Sequence, residues 1–268
     1  MLLRSYGVSD IGKRRPVNED SFLSDDELGL FIVADGVGGH AKGEIASAQS
    51  VEEVHGYVRD ASACIEALRR HAGRDEIAAV RRLLESAVQS AGYMVFGMAE
   101  LDPTHHGMST TMSALLVVEG LAIIAQVGDS RVYRRRGEQT AQLTEDHTLF
   151  NYRLKHGLLS PQEARQSAGK NVITRAVGHR DYVQVDTLVC DAQPGDRYLL
   201  CSDGLHGQVH DDEVGSLLAL AAARDAAHSL VELANDRGGR DNITVLVVDA
   251  LAATPTAAQR RTSAVPGV

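Results

Sequence analysis

The chain has 268 residues, 44% of them hydrophobic, with 27 Lys and Arg against 36 Asp and Glu and a formal net charge of −9. The apolar share supports a sizeable core rather than disorder, and the acidic balance argues against nucleic acid, which needs a phosphate-neutralising surface. No apolar run reaches the roughly 18 to 20 residues of a membrane helix, Met1–Gly7 lacks the apolar core of a secretory signal, and Cys64, Cys190 and Cys201 have no CxxC spacing. A reduced, cytoplasmic setting without a membrane partner is the expectation.

In chain order, the first forty residues read as short β segments. Asp20–Leu23 and Leu28–Val33 flank the polar turn Ser24-Asp25-Asp26-Glu27. Helical character begins near Glu44. Ile77, Val80, Leu84, Val88, Ala91, Val95 and Met98 recur at three- and four-residue steps, predicting a helix of about 25 residues with one apolar stripe, stopped by Asp102-Pro103. Strands follow at 111–118, 121–127, 132–135 and 140–143, and their close spacing predicts consecutive antiparallel pairing. Residues 145–182 are polar and short-helical, with Ser160-Pro161 as a helix start. Strands return at 183–189, 196–202 and 242–248, with an alanine- and leucine-rich helical stretch over 211–236. Strands in two blocks with helices grouped between them predict an α+β fold of antiparallel sheets covered by helices. With no repeats and no linker, one domain over 1–251 is expected, followed by a mobile tail over 252–268.

Three carboxylates stand where a buried strand meets a turn. Leu30–Ala34 delivers Asp35-Gly36, Tyr198–Ser202 delivers Asp203-Gly204, and Gly238-Gly239-Arg240 leads into Asp241-Asn242. Buried charge needs a partner, and several such tips at one sheet edge form an oxygen-rich cage that favours magnesium or manganese over zinc. One carboxylate can bridge two cations about 3.5 to 4 Å apart. Each of the three alone reads more simply as an ordinary turn; the joint occurrence favours a metal site. In Arg15-Pro16-Val17-Asn18-Glu19-Asp20, an arginine fork beside acids can bind a phosphate, although Lys13 and Arg14 compete for that role and a surface ion-pair cluster is the plain alternative.

Arg15-x-x-Asn18-Glu19-Asp20, Val33–His40, Gly107–Thr111, Val127–Tyr133, Leu143–His147, Ile173–Gly178, Leu200–Leu205 and Gly239–Asn242, in this order, resemble the type 2C metal-dependent serine/threonine protein phosphatases, in their compact bacterial branch. The resemblance spans roughly residues 6–249. It implies a four-layer αββα sandwich with a two-metal centre at one end, holding Mn2+ or Mg2+. Asp35 would bridge the ions, Gly36 would offer its carbonyl, and Asp203 and Asp241 would ligate the first ion. Glu19 would act on the second, with Asp20 in support, and Asp129 matches a carboxylate that holds a third ion in bacterial relatives. Arg15 would hold the substrate phosphate, and residues 145–182 would form a flap. Animal members place histidine directly after the Asp-Gly pair; here Val37 stands there, and a helix-start position is favoured for His40 over a proton-donating one.

The implied reaction is in-line hydrolysis of phosphoserine or phosphothreonine by a hydroxide that bridges the two metals. Phosphorylated proteins and a serine/threonine kinase are the expected partners, and a monomer is the expected state. A catalytically inactive binding module would have lost the aspartates, all three of which are present. A hydrolase of small phosphate esters remains open. Cys64-x5-Arg70 satisfies a cysteine-phosphatase spacing but lacks the glycines of an amide cradle and reads as continuous helix. Walker, HExxH and G-x-S-x-G motifs do not occur.

Overall fold

The computed structural model of the chain describes residues 1–37, 42–159 and 172–253. His40, the Ser160-Pro161 helix start, Lys170 and the tail from 254 lie outside the described residues. Among the described residues the strands are β1 (Leu2–Asp10), β2 (Asp20–Asp25), β3 (Leu30–Val37), β4 (Ser109–Thr110), β5 (Met112–Val118), β6 (Leu121–Val127), β7 (Arg131–Arg136), β8 (Gln139–Gln142), β9 (Asp186–Asp191), β10 (Arg197–Cys201) and β11 (Ile243–Leu251). One sheet runs β1-β11-β10-β7-β8. The other runs β2-β3-β5-β6-β9, with β4 added at the end of β3, and the paired strands are antiparallel throughout.

Alternation along the strands explains the layering. On β3, Phe31 and Val33 point to the other sheet and pack with Leu115, Ile124, Tyr198, Leu200, Leu246 and Val248. Leu30, Ile32 and Ala34 point the opposite way, into a core shared with α1 (Gly43–Asp60), α2 (Ser62–Arg70) and α3 (Arg74–Leu101). Leu199, Cys201, Val245 and Val247 likewise meet Val214 of α6 (Asp211–Leu217) and Leu230 and Val231 of α7 (Ala223–Asp236). Both faces of both sheets are therefore covered. The result is the expected αββα sandwich.

The long predicted helix is α3, 28 residues, with Val80, Leu84, Val88, Ala91 and Val95 fully buried. Asp75 and Glu76 in its first turn complement the helix dipole. Cys64 lies within α2, as its helical reading required. No described helix is long and apolar enough to cross a membrane.

Two expectations are corrected. The four strands over 111–143 are not one consecutive antiparallel run. β5 pairs with β6 and β7 with β8, but Gly128-Asp129-Ser130 carries the chain from one sheet to the other. Gly128 adopts φ +96, and a Cβ there would stand 2.6 Å from Thr111 Cγ2, so only glycine fits this crossing. The helical stretch over 211–236 is also broken, into α6 and α7, by residues 218–222.

Candidate metal centre

The crossing at Gly128, the tip of β3, the end of β10 and the start of β11 meet at one end of the sandwich. This brings Asp129, Asp35, Asp203 and Asp241 into electrostatic range of one another, with Asp20 facing Asp35 across the β2–β3 pair. Asp35 is fixed through its backbone: its N–H donates to Thr111 Oγ1 at 2.9 Å, and its carbonyl accepts from Thr110 Oγ1 and Thr111 N. Asp203 opens the short helix α5 (Asp203–His206), directly after β10. A Cβ on Gly204 would lie 2.0 Å from Asn242 O, so the Asp-Gly pair is also what lets α5 press against the start of β11.

Gly36 is explained more sharply than the sequence allowed. A Cβ there would meet Gly43 O at 2.3 Å and Glu19 O at 2.6 Å. Its N–H donates to Glu19 O at 3.1 Å, and Ser47 Oγ donates to the same carbonyl at 2.6 Å. The glycine thus seats Glu19 against the N-terminus of α1.

Asn242, which the sequence marked only as Asp241's neighbour, is the staple of the site. It is 4% exposed. Its Nδ2 donates to Ile11 O and Val17 O, each at 3.0 Å, and its Oδ1 accepts from Glu19 N at 2.8 Å. These bonds tie the loop carrying Arg15 and Glu19 to the start of β11. Each orphaned buried backbone group costs about 1 to 3 kcal/mol, so Asn242→Ala is expected to lower stability by about 3 kcal/mol and to lower turnover as well. Urea denaturation checks this, and an unchanged midpoint would contradict the staple.

The electrostatics of the cluster are unbalanced. Burial first, and then Asp203 and Asp241, push the Asp20 carboxyl up to about 7. Burial and then Asp203 push Asp129 up to about 7; burial and then Asp241 push Asp203 up to about 6. Asp35 is raised well above the ordinary range by burial and by all four neighbouring aspartates. Glu19 is raised by burial and then by Glu44. The cations facing this group are Arg15 and, farther in, Arg131, which is itself forked onto Asp146 at 2.7 and 2.9 Å. Ser202 Oγ donates to Asp20 Oδ2 at 2.7 Å, while Asp20 Oδ1 is buried with no hydrogen-bond partner.

Among the described residues, no three carboxylate, imidazole or thiol groups are closed into a ready coordination set. Asp203 and Asp35 instead face one another as like charges, and Asp203 helps to raise the Asp35 carboxyl. Asp241 is drawn to Arg15, whose Nη2 donates to Asp241 Oδ2 at 2.7 Å. An all-oxygen donor set with surplus negative charge and an orphaned buried oxygen fits a hard divalent cation. A cavity of about 670 Å3 opens onto Asp129, between α5 and α4 (Leu149–Lys155), with Arg131, Glu145 and His206 in its wall.

Each predicted site residue thus converges on this end, although Arg15 contacts an aspartate rather than open solvent alone. The described parts of the expected flap begin at the same end: His147 N donates to Gly128 O at 2.9 Å, and Thr110 and Val177 exchange backbone bonds.

A model of the family described as protein phosphatase 2C matches residues 7–243. The serine/threonine phosphatase stp of Listeria monocytogenes serovar 1/2a is 35% identical over 245 residues, 90% of this chain and 93% of its own. Protein phosphatase PhpP of Streptococcus pneumoniae R6 is 33% identical, over 90% of this chain and 95% of its own. The crystal structure of the Mycobacterium tuberculosis serine/threonine phosphatase PstP/Ppp superposes with a TM-score of 0.83 at 33% identity, covering 94% of this chain and 100% of that one. A PstP catalytic domain solved in complex with two manganese ions gives a TM-score of 0.78 at 33% identity, covering 94% and 99%.

Proposed function

Since this chain belongs to the protein phosphatase 2C family, we propose that it hydrolyses phosphoserine and phosphothreonine in proteins, with a single catalytic domain over residues 1–251 and a serine/threonine kinase as its counterpart. The observation that carries this reading is the gathering of Asp35, Asp203, Asp20 and Asp129, with the half-buried Asp241, in a group with too little positive charge. Asp35, Asp203, Asp241, Glu19 and the Gly36 carbonyl would hold two Mn2+ or Mg2+ ions, and Asp129 would serve a third. When bound, such ions activate water and offset charge on the phosphoryl group.

The chain's own residues prepare the rest. Arg15 uses one N–H on Asp241, and a guanidinium has five donors, so the remainder of the fork is available to a phosphate. The Asp241 contact sets the orientation of that fork before substrate arrives, which is where phosphoryl-transfer enzymes gain most. Asn242 holds Arg15's loop in place, and Ser202 fixes Asp20 behind Asp35. Arg15→Ala is therefore expected to raise KM for a phosphopeptide and to lower kcat, by about 10-fold or more in kcat/KM, the scale of one lost charge-assisted contact.

Release of phosphate from p-nitrophenyl phosphate and from a phosphothreonine peptide tests the reading. Turnover is expected with manganese, none in excess EDTA, and recovery on re-addition. Turnover of the small ester alone would favour the small-ester hydrolase, and no turnover of either by folded, manganese-loaded protein would favour an inactive binding module.

A further inference from the structure

Next to the end of β3, two residues beyond Asp35, lies a cavity of about 540 Å3 that the hydrolytic reading does not use. Its walls include Val37, Ser109, Arg175, His179, Arg180 and Tyr182, and among the described residues none that lines it carries a carboxylate. In a chain of net charge −9, a wall lined by Arg175 and Arg180 stands out, although Arg175 is paired with Asp186 and Asp181 adjoins Arg180 in the chain, so Arg180 is the free positive charge there.

The walls are held from several sides. Val37 pairs with Ser109 across β3–β4, and Thr110 and Val177 exchange backbone hydrogen bonds at 3.0 and 2.8 Å. Gly178, at φ +85, sits against α3, where a Cβ would meet Val95 Cγ1 at 2.3 Å. Arg175 donates to Asp186 Oδ1 at 2.7 Å, and His147 Nε2 lies 3.1 Å from Asp186 Oδ2. Arg175 is therefore a tied, structural cation. His179 and Arg180 are exposed, and among the described residues neither has a hydrogen bond or ion pair. Tyr182 is 65% exposed beside them. An unpaired guanidinium, an unpaired imidazole and an exposed aromatic ring thus border a preformed pocket.

The pocket is also continuous with the site. Val37 is two residues beyond Asp35 on the same strand, and the segment bearing Val177 lies two strand positions away, about 10 Å at the usual spacing. Extended peptide covers about 3.3 to 3.6 Å per residue, so a chain whose phosphoresidue sits at the carboxylate cluster reaches the Val177 segment that leads into the pocket wall in about three residues.

Building on the phosphatase reading above, we propose that this pocket is a specificity site for an acidic side chain about three residues from the phosphorylated residue, held by Arg180 and His179. The preference concerns peptide recognition and leaves the hydrolytic groups untouched.

The test uses the full chain with manganese at low salt. Phosphothreonine peptides carry Glu, Ala or Lys three residues before or after the phosphothreonine, and p-nitrophenyl phosphate, which has no flanking chain, reports the hydrolytic centre alone. Wild-type protein is expected to favour the Glu peptide over the Ala peptide by about three- to five-fold, the scale of exposed ion pairs, through KM, with the preference fading as salt rises. Arg180→Glu should reverse it toward the Lys peptide while p-nitrophenyl phosphate turnover holds. Equal wild-type use of the three peptides, or a Glu preference that survives in both Arg180→Glu and the double variant His179→Ala, Arg180→Ala, would overturn the pocket's role and leave the phosphatase reading standing. Absence of wild-type turnover on every substrate would overturn both.

Discussion

Asp203→Asn is expected to lower kcat/KM on any phosphate ester by more than about 100-fold while making the metal-free protein more stable. Asp241→Asn should lose activity to a similar degree. Losing a group that merely supports a metal ligand costs about 10- to 100-fold, and in the proposed centre these changes remove a ligand itself. Asn keeps the shape of Asp but not the charge, and Asp203 already sits under repulsion, with burial and Asp241 raising its carboxyl to about 6. Removing that charge relieves the cluster. The paired readout separates a functional role from a structural one, since a residue needed for folding would lose stability together with activity. Wild-type rates in either variant would remove that residue from the site.

The second large effect is in the coupling of pH, cation and stability. Asp20 and Asp129 are raised to about 7 and Asp203 to about 6, against an ordinary value of 3.8. A carboxylate raised on folding takes up a proton as the chain folds. Its contribution is therefore most favourable below about pH 4 and declines as pH rises to about 7. A divalent cation competes with those protons for the same oxygens. The manganese-dependent rise in Tm is thus expected to be larger at pH 7.5 than at pH 5, by on the order of 5 °C or more. Burial holds His147 and His206 low, the latter at about 4, and they work in the opposite sense below their ordinary 6.5. Because they titrate with or without manganese, they largely cancel from the difference. An increment equal at both pH values would mean that the titrating carboxylates are not the ones that bind the ion.

Much of the site was legible because its chemistry sits at strand ends. A run of apolar residues ending in Asp-Gly is visible in one dimension, so Asp35 and Asp203 announce themselves, and the period of α3 predicts the helix that covers the sheet of Asp35. The parts assigned by resemblance, Glu19, Gly36 and Asp129, have weaker local signatures, because their partners are remote. Gly36 is forced by the carbonyls of Gly43 and Glu19, and nothing near it in sequence says so. Asn242 bonds to Ile11 and Val17, more than 220 residues earlier. A turn such as Gly128–Ser130 looks like a hairpin whether the chain returns to the same sheet or crosses to the next, so the crossing that delivers Asp129 could not be read. The strand expected at 183–189 lies at Asp186–Asp191 instead, because Val183 and Val185 bury into the helical core before the sheet begins. Asp20 was read as support alone, yet it faces Asp35 across the strand pair with one oxygen orphaned.

The most direct test of the metal centre is a crystal structure of the manganese-soaked protein with anomalous data collected at the manganese edge. The prediction is at least two peaks at the sandwich end, with Asp35 between them and Asp203 and Asp241 in contact with one. A map with no peak among these three carboxylates, from crystals that hold manganese elsewhere, would contradict it.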